Sequence, residues 1–324
     1  MQKWAIGVDL GGTKIEIAIV STNGRVLDRL RIPTESTESP EQIIDKISEN
    51  IEKLVDKHLD IPLETIGIGV AGQIQKNTGI IKYAPNLNWH NVDLQSLLSK
   101  KLGKTITVCN DVKAAAWGEW FYGAGVGFDD MVCIFVGTGI GGAIISDGKM
   151  IDGCNNTAGE VGHMTVQLHG PVCHCGNYGC LEALAGGWAI SRDAQQAVQS
   201  DTKGGSMLLE LAGGDINAID GKTVAAALGK GDSMARGLVD NVTDALIAGV
   251  TTIINMVGPC RIVLGGGVIE GIPELVDRVE AGVKKYALKA AIDLVKIVPA
   301  QLHNDSGVVG AAAFALHKLT KDTL

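Results

Sequence analysis

Two segments of the sequence share one pattern: an apolar run, a turn of glycine and threonine, and a second apolar run. The first reads WAIGVDLGGTKIEIAIV (4–20) and the second reads MVCIFVGTGIGGAIISDGK (131–149). Because β-branched residues flank each turn, both segments are predicted to be strand–turn–strand hairpins. A pattern that returns in this way indicates an internal duplication, and therefore two related domains. Strands alternate with helical patterns elsewhere in the chain, so the predicted fold class is α/β.

Composition restricts the kind of protein further. The 324 residues suffice for two domains of ordinary size, and 46% hydrophobic against 20% charged residues allow a large core. A net charge of −8 argues against nonspecific binding to nucleic acid. There is no basic and apolar leader at Met1, and no run near the roughly 18 apolar residues of a membrane span. We therefore expect a soluble, cytoplasmic protein that binds no membrane.

The two glycine-rich turns are candidates for phosphate binding. The second turn, Gly137–Gly142, has the spacing G-x-G-x-x-G, but that dinucleotide fingerprint requires a helix next, and the strand-like AIISDG follows instead. Backbone N–H groups in such turns can surround an anion, and the threonine hydroxyls add donors. Asp9, before the first turn, can hold Mg2+ through water. Two ordinary hairpins whose glycines take positive φ are the alternative.

Two further strand-like segments end in glycines. TIGIGVAGQI (65–74) contains Ala71-Gly72, and CRIVLGGGVIEG (260–271) contains Gly265–Gly267. In open α/β sheets, ligands bind outside the carboxyl ends of the strands. The second glycine run therefore suits close approach by a nucleotide, and a tight turn from strand to helix explains it equally well.

Residues 163–182, HMTVQLHGPVCHCGNYGCLE, hold three of the seven cysteines and three histidines. An odd cysteine count without an export signal argues against a disulfide framework. Structural zinc sites use four nitrogen or sulfur ligands, and Cys173, Cys175 and Cys180 supply three thiolates from one tight loop. The alternative is a glycine-rich loop with chance cysteines. The spacing leaves the fourth ligand open between three histidines: His163, His169 and His174.

Carboxylates with candidate roles in catalysis or binding lie near these motifs. Asp111 follows Asn110 where the strand-like TITVCN meets a helical pattern, so it can act as a general base for a substrate hydroxyl. Its position equally suits a helix N-cap. Glu160 lies three residues before His163, and Glu182 follows the last cysteine of the cluster. If His163 binds the metal, both glutamates are attached to one metal loop and suit a polyhydroxylated ligand such as a sugar.

Together, these motifs resemble those of the ROK family of sugar kinases and repressors over essentially the whole chain. DLGGTK (9–14) is similar to the first phosphate motif of that family, VGTGIGGA (136–143) to the second, and VLGGG (263–267) to the adenosine motif. GEVGHM (159–164) with CHCGNYGCLE (173–182) resembles its highly specific zinc and sugar signature. The resemblance implies an actin/hexokinase-like (ribonuclease H-like) two-domain ATPase fold with an interdomain cleft. The expected domains are 1–120 with 305–324, and 121–304 with the zinc loop.

The resemblance also implies roles for individual residues. Asp111 would be the catalytic base, and His163 would complete a structural zinc site with Cys173, Cys175 and Cys180. The expected sugar ligands are Gly72, Asn86, Asn110, Glu160, His163 and Glu182. The expected ligands of ATP and its Mg2+ are Asp9, Gly11, Gly12, Thr13, Lys14, Thr138, Gly139, Gly265 and Gly266.

The implied activity is ATP-dependent phosphorylation of a hexose, most simply glucose, at the 6-hydroxyl by a homodimer. An N-acetylmannosamine kinase is the alternative, because Gln73 stands where glucose-specific members often have proline. Lys113 is a second departure, since NDVK replaces the N-D-A-N of many members. A sugar-sensing regulator is a remote alternative. Family repressors usually carry an N-terminal DNA-binding segment, and here the phosphate motif begins at Asp9.

Overall fold

The computed structural model describes residues 3–35 and 37–321. The chain divides into two compact units. The first consists of Met1–Gly127, Asp152–Ala158 and Gln301–Leu324, and the second of Phe128–Ile151 and Gly159–Ala300. The sequence-based limits were 120 and 305, and they left 152–158 with the second domain. This short segment lies in the first unit because Lys113 of that unit binds it.

The first unit is built on a five-stranded mixed sheet. Its elements, numbered in chain order, are β1 (Trp4–Leu10), β2 (Lys14–Ser21), β3 (Val26–Pro33), α1 (Pro40–Asp56), β4 (Leu63–Val70), β5 (Gln73–Ile74), β6 (Ile81–Ala84), β7 (Trp89–Val92), α2 (Leu94–Leu102), β8 (Ile106–Asn110), α3 (Asp111–Tyr122) and the last helix α12 (Ser306–Lys321). The sheet has the order β3-β2-β1-β4-β8. The β1–β2 and β2–β3 pairs are antiparallel, whereas β1–β4 and β4–β8 are parallel. The first predicted hairpin is therefore the β1–β2 pair.

Helix α1 shows how the local sequence sets the structure. Ser39 begins the helix with a capping box to Gln42, and Pro40 occupies the first turn, where its missing N–H costs nothing. Because its apolar residues recur every three or four positions, one side of the helix is buried against the sheet. The buried apolar residues on this side are Ile43, Ile44, Ile47, Ile51 and Leu54.

Helix α12 lies directly on the opposite face of the same sheet. A Cβ on Gly7 would be 1.8 Å from the backbone oxygen of Val308, and one on Gly67 would be 1.8 Å from that of Ala311. No side chain fits at such distances, so β1 and β4 carry glycine where the helix crosses them. The segment SGVVGAAAFALHKL (306–319) is rich in small residues, and they permit this approach.

A small three-stranded sheet, β5-β6-β7, completes the first unit. The segment YAPNLNW (83–89) has the polar, turn-rich sequence of a loop, but it contains the end of β6, a 3-10 turn at Pro85–Leu87 and the start of β7. Trp89 in β7 is fully buried. These strands have two to four residues. Such lengths are too short to show the alternation from which strands are predicted.

The second unit is built on another five-stranded mixed sheet. Its elements are β9 (Met131–Val136), β10 (Ile140–Ser146), β11 (Lys149–Met150), α4 (Leu181–Ala185), α5 (Gly187–Ser200), α6 (Ser206–Leu211), α7 (Gly221–Gly229), α8 (Ser233–Val257), β12 (Arg261–Gly265), α9 (Gly267–Gly271), α10 (Glu274–Tyr286), α11 (Lys289–Ile292) and β13 (Lys296–Pro299). The sheet has the order β11-β10-β9-β12-β13. The second predicted hairpin is the antiparallel β9–β10 pair, and β9–β12 and β12–β13 are parallel.

The two sheets match strand for strand. In each, three antiparallel strands are followed by two parallel ones, and the first strand in sequence lies at the centre. This correspondence supports the duplication inferred from the two hairpins. The predicted fold class, α/β with two related domains of the actin/hexokinase-like ATPase fold, is confirmed.

Helix α8 is long and apolar enough to be compared with a membrane span, because it has 25 residues and a window of 18 of them has a mean hydropathy of 1.3. Its buried residues follow one side of the helix, among them Val239, Val242, Leu246, Val250 and Ile253. They belong to the core of the second unit, and α8 packs against α4 and α10. A helix with one buried side is a core helix of a globular unit.

Candidate active site and metal centre

The junction of β8 and α3 presents Asn110 and Asp111. Asn110 is the N-cap of α3, because its Oδ1 accepts a hydrogen bond from the backbone N–H of Lys113 at 3.1 Å. Such a cap is worth about 1 kcal/mol. The Asn110 Nδ2 group donates to the Asp111 Oδ1 atom at 3.0 Å and to the Gly72 backbone oxygen at 3.2 Å. The sequence left open a capping role for Asp111. Asn110 takes that role, and its side chain orients the Asp111 carboxylate.

Asp9 lies near the end of β1, at the same sheet edge as Asp111. Burial, and secondly the charge of Asp111, raise the pKa of Asp9 from 3.8 to about 6, although Lys14 acts in the opposite direction. A Cβ on Gly307 would lie 2.9 Å from the Asp9 Oδ2 atom, so the start of α12 covers this carboxylate. A buried carboxylate beside a second negative charge forms a position at which a bound cation is stabilised.

The first glycine turn connects β1 to β2 beside Asp9. The backbone N–H of Gly11 donates to the backbone oxygen of Lys14 at 3.0 Å and closes the turn. A Cβ on Gly12 would lie 2.7 Å from the Cβ of Asn86. The structure thus brings together the expected phosphate turn and the expected sugar residue Asn86. Thr13 is exposed, as a phosphate donor must be.

The second glycine turn is held by Glu182. The Glu182 Oε2 atom accepts a hydrogen bond from the backbone N–H of Ile140 at 2.8 Å, and Oε1 accepts one from the Trp188 Nε1 group at 3.3 Å. A Cβ on Gly139 would lie 2.3 Å from Oε2, so any side chain there would displace the Glu182 carboxylate. The sequence predicted Glu182 as a sugar ligand, and its contact with the phosphate turn was not foreseen.

The start of α5 also binds this turn. The backbone N–H groups of Gly187 and Trp188 donate to the backbone oxygens of Gly137 and Thr138 at 2.9 and 3.0 Å. The sequence from 180 to 196 has the pattern of one helix, but the chain leaves helical geometry at Gly186, which separates α4 from α5. The break frees the N–H groups at the start of α5, and the turn accepts them.

Four residues of the second unit place their donor atoms in one cluster. The ligand atoms of His163, Cys173, Cys175 and Cys180 all lie within 4.8 Å of one another. The Cys175 and Cys180 sulfurs are 3.7 Å apart, and the Cys173 sulfur is 3.7 Å from His163 Nδ1. Of the three histidines that the sequence left open, His163 is the one in this cluster. The His174 ring instead stacks on Trp188, with ring centroids 4.0 Å apart.

Glu160 is exposed and lies next to this cluster in the chain. It precedes the 3-10 turn Val161–His163, and the backbone N–H of His163 donates to its backbone oxygen at 3.1 Å. One turn of chain therefore carries Glu160 and the cluster member His163. The sequence-based expectation was that Glu160 and Glu182 are attached to opposite ends of one metal loop if His163 binds the metal, and Glu160 does adjoin His163.

The third glycine run lies beside the second turn. A Cβ on Gly266 would be 2.5 Å from the backbone oxygen of Val136, and Gly266 has a φ of 90°. Only glycine adopts this conformation without strain. Because Val136 directly precedes the second turn, Gly265 and Gly266 lie at the same sheet edge as Thr138 and Gly139. The expected nucleotide residues of the second unit are thus neighbours.

The sequence did not predict the surroundings of Lys113. This side chain is buried, and its Nζ group donates to Asp152 Oδ1 and Asn156 Oδ1, both at 2.8 Å. A buried lysine two positions after a candidate base was visible in the sequence only as a departure from the family pattern. Its partners lie about forty residues further along and have no sequence signal of their own.

Comparisons with known proteins find relatives that match this chain over nearly its whole length. A model of the ROK family matches residues 5–318. A glucokinase of Thermotoga maritima is 34% identical over 315 residues, which cover 97% of this chain and 98% of that protein. An N-acetylmannosamine kinase of Escherichia coli O157:H7 is 32% identical over 320 residues, covering 96% and 97% of the two chains. A crystal structure of a ROK family glucokinase from Streptomyces griseus, in complex with glucose and AMPPNP, has a TM-score of 0.84 and 32% identity, covering 97% of this chain and 99% of that one.

Proposed function

The chain belongs to the ROK family, and we propose that it transfers the γ-phosphoryl group of ATP to the 6-hydroxyl of glucose. The observation that carries this proposal is the way in which Asn110 holds the Asp111 carboxylate. Asn110 takes the capping role and holds the Asp111 carboxylate at the sheet edge shared with Asp9 and the first glycine turn. The glucokinases of Thermotoga maritima and Streptomyces griseus, the latter with glucose and AMPPNP, support glucose and ATP as substrates.

Asp111 is the proposed general base. Its carboxylate would take the proton of the sugar hydroxyl as that oxygen forms a bond to the γ-phosphorus and the bond to ADP breaks. Phosphoryl transfer needs mainly positioning and neutralisation of charge. The N–H groups of the two glycine turns, around Gly12 and Gly139, would donate to the phosphate oxygens, and the exposed hydroxyls of Thr13 and Thr138 would add donors.

Asp9 is the residue that we expect to hold Mg2+. Its buried carboxylate lies close enough to Asp111 for the negative charge of Asp111 to raise the pKa of Asp9. A cation there relieves the repulsion, and Mg2+ would neutralise phosphate charge when bound. Because Mg2+ keeps most of its water, we expect contact through water.

We propose a structural zinc ion at His163, Cys173, Cys175 and Cys180. This donor set is a standard one for zinc, and thiolates about 2.3 Å from a tetrahedral zinc are about 3.8 Å apart. The 3.7 Å separation of the Cys175 and Cys180 sulfurs fits that requirement. A disulfide would need about 2.05 Å. When bound, zinc would brace the loop that carries Glu160 and precedes Glu182.

The proposed sugar ligands are those that the family pattern implies, but we assign direct contact to some of them and an orienting role to others. Glu160 and His163 are exposed and carried by one turn. Asn110 and Glu182 have most of their polar atoms engaged with protein groups, so we propose that they mainly orient Asp111 and the second turn. Gly72 would allow close approach, because no side chain stands there.

An N-acetylmannosamine kinase is the second candidate. The Escherichia coli enzyme of that name is nearly as similar to this chain as the glucokinase is. In addition, Gln73 is exposed at the start of β5, where glucose-specific members often have proline. The chemistry would be unchanged, and only the accepted sugar would differ.

A coupled assay of ATP consumption tests both candidates. Purified protein would be given glucose, mannose, fructose, N-acetylglucosamine and N-acetylmannosamine, and zinc would be quantified in the same sample. A strong preference for glucose supports the proposal, and a preference for an acetamido sugar replaces glucose by the second candidate. No turnover with any sugar, in folded and zinc-loaded protein, would refute the kinase proposal.

We further propose that the protein acts in the cytoplasm as a homodimer. All seven cysteines are free of disulfides, as is usual in a reducing compartment. ATP as phosphoryl donor agrees with that compartment. Light scattering coupled to gel filtration would measure the mass, for which a single chain of 33.8 kDa is the monomer reference.

A further inference from the structure

Lys113 is a buried cation whose three protons all have acceptors. The side chain is 7% exposed, and Nζ donates to Asp152 Oδ1 at 2.8 Å, to Asn156 Oδ1 at 2.8 Å and to the Asn156 backbone oxygen at 3.3 Å. An ammonium group is costly to bury unless its donors are satisfied and a counter-charge is near. Lys113 therefore fixes the segment 152–158 to α3, two positions after Asp111.

Asn156 connects the segment 152–158 to β5 by a hydrogen bond. Its φ is 68°, a conformation that asparagine tolerates better than most residues, and its Nδ2 group donates to the backbone oxygen of Ile74 at 2.9 Å. The segment is closed on itself, because the backbone N–H of Ala158 donates to the backbone oxygen of Asp152 at 3.1 Å. A closed loop held by Lys113 is thus a firm support for Ile74.

The backbone on both sides of Gln73 is consequently held. The Gly72 oxygen accepts from Asn110 Nδ2 at 3.2 Å, and the Ile74 oxygen accepts from Asn156. Gln73 itself is exposed. Asn110 links one side of Gln73 to Asp111, while Asn156 links the other side to Lys113. Both links begin at the first residues of α3.

We propose that Lys113, acting through Asn156, is a positioning residue that sets the place of Gln73 and thereby the selectivity among sugars. This inference rests on the proposed sugar kinase function and deepens it. Lys113 itself need not contact the sugar. Its effect is on which hexose is accepted, because it determines how far the Gly72–Ile74 backbone can move.

The test compares two variants with a matched control. Lys113→Met removes the ammonium group but keeps an unbranched apolar chain, and Asn156→Gly removes the bond to Ile74 while keeping a residue that accepts positive φ. The control is Lys76→Met, because Lys76 also binds this segment, at the Gly153 oxygen (2.9 Å), but from an exposed position. The readouts are kcat/KM for glucose, mannose and N-acetylmannosamine, the KM for ATP, and Tm.

We expect both variants to change the ratio of kcat/KM between two sugars by about two- to tenfold, the effect of one hydrogen bond. The KM for ATP should stay within about twofold, and Lys76→Met should keep the wild-type ratios. A lower Tm with unchanged ratios of kcat/KM in both variants would mean a purely structural role. That result would overturn this inference and leave the proposed function standing. A wild-type protein that phosphorylates no sugar would overturn the proposed function together with it.

Discussion

The carboxylate of Glu182 accepts a hydrogen bond from the backbone N–H of Ile140, with 2.8 Å between Oε2 and N. Glu182 lies in the first turn of the helix that follows the metal loop, and Ile140 follows the second glycine turn. One side chain therefore joins the proposed zinc site to the proposed phosphate site. A change that weakens one of these two sites should therefore alter binding at the other.

Trp188→Phe tests this link without replacing a metal ligand, and an aromatic ring still packs against Cys173 and Cys180. The change removes the indole N–H that donates to Glu182 Oε1 at 3.3 Å, and it leaves an aromatic ring against His174. With one bond fewer, the carboxylate should hold Ile140 less firmly, so we expect the KM for ATP to rise about two- to tenfold. Steady-state kinetics at varied ATP, with zinc content measured in parallel, give the result. An unchanged KM for ATP at full zinc content would contradict the link.

Asp111→Asn should fold normally and lose nearly all turnover. The amide oxygen can still accept from Asn110, so the local hydrogen bond is kept while the base is lost. A general base contributes about 10²- to 10⁴-fold, and we expect kcat to fall by that factor. Kinetics and Tm would be compared with Asp129→Asn, which changes an exposed carboxylate. Near-wild-type activity would exclude Asp111 as the base.

Cys175→Ser should lose the metal. Cys175 is an exposed member of the four-residue cluster, and a serine hydroxyl is a poor zinc ligand. We expect little zinc in the purified variant by atomic emission, a lower Tm, and weaker sugar binding by calorimetry because the loop with Glu160 is no longer braced. Cys154→Ser is the matched control, since Cys154 is also exposed but lies outside the cluster. A metal-free Cys175→Ser protein with wild-type sugar affinity would separate zinc from sugar binding.

The stability of the metal-free protein should fall as pH rises through about 6, because of Asp9. Its pKa is 3.8 in the reference state and about 6 in the folded protein. The folded state therefore holds a proton that the unfolded state has lost, and this stabilisation is complete below the lower pKa and gone above the higher one. Asp9→Asn should then stabilise the protein at about pH 8 relative to its effect at about pH 4. Urea unfolding at both pH values without Mg2+ measures this difference. An equal effect of Asp9→Asn at the two pH values, or a larger stabilisation at the lower one, would contradict the prediction.

Glu119→Gln should destabilise the first unit. The buried Glu119 carboxylate accepts from the backbone N–H groups of Ala124, Gln301 and Leu302, at 2.9, 3.1 and 2.8 Å. An amide replaces one acceptor oxygen by a donor that faces N–H groups. Because each unsatisfied buried group costs about 1–3 kcal/mol, we expect a loss of at least about 2 kcal/mol. Chemical unfolding measures it, with the exposed Glu49→Gln as control.

Much of the site could be predicted because its residues follow strands in the sequence. Asp9, Gly72 and Asn110 each come at the end of a run that reads as a strand, and β1, β4 and β8 are parallel, so the three residues meet at one edge. The metal cluster was visible for a similar reason, since three of its ligands are supplied by one short loop.

The parts that were missed depend on contacts distant in sequence. Lys113 binds Asp152 and Asn156, and Glu119 binds the backbone at 301 and 302. No local pattern encodes such pairs. The break at Gly186 was missed because LEALAGGWAIS has helical periodicity on both sides, and only the second glycine turn, which occupies the N–H groups of α5, explains why the helix stops.

The contact between α12 and the first sheet has a consequence for synthesis of the chain on the ribosome. β1 and β4 are synthesised early, whereas the helix that lies against Gly7 and Gly67 is formed by residues 306–321. Until those residues emerge, that face of the sheet lacks the helix that covers Gly7 and Gly67, although α3 already packs beside it at Gly69. All strands and helices of the second unit lie between 131 and 299 and emerge before them. The usual order, in which the N-terminal unit folds first during translation, should therefore be reversed, with the second unit completing its fold before the first.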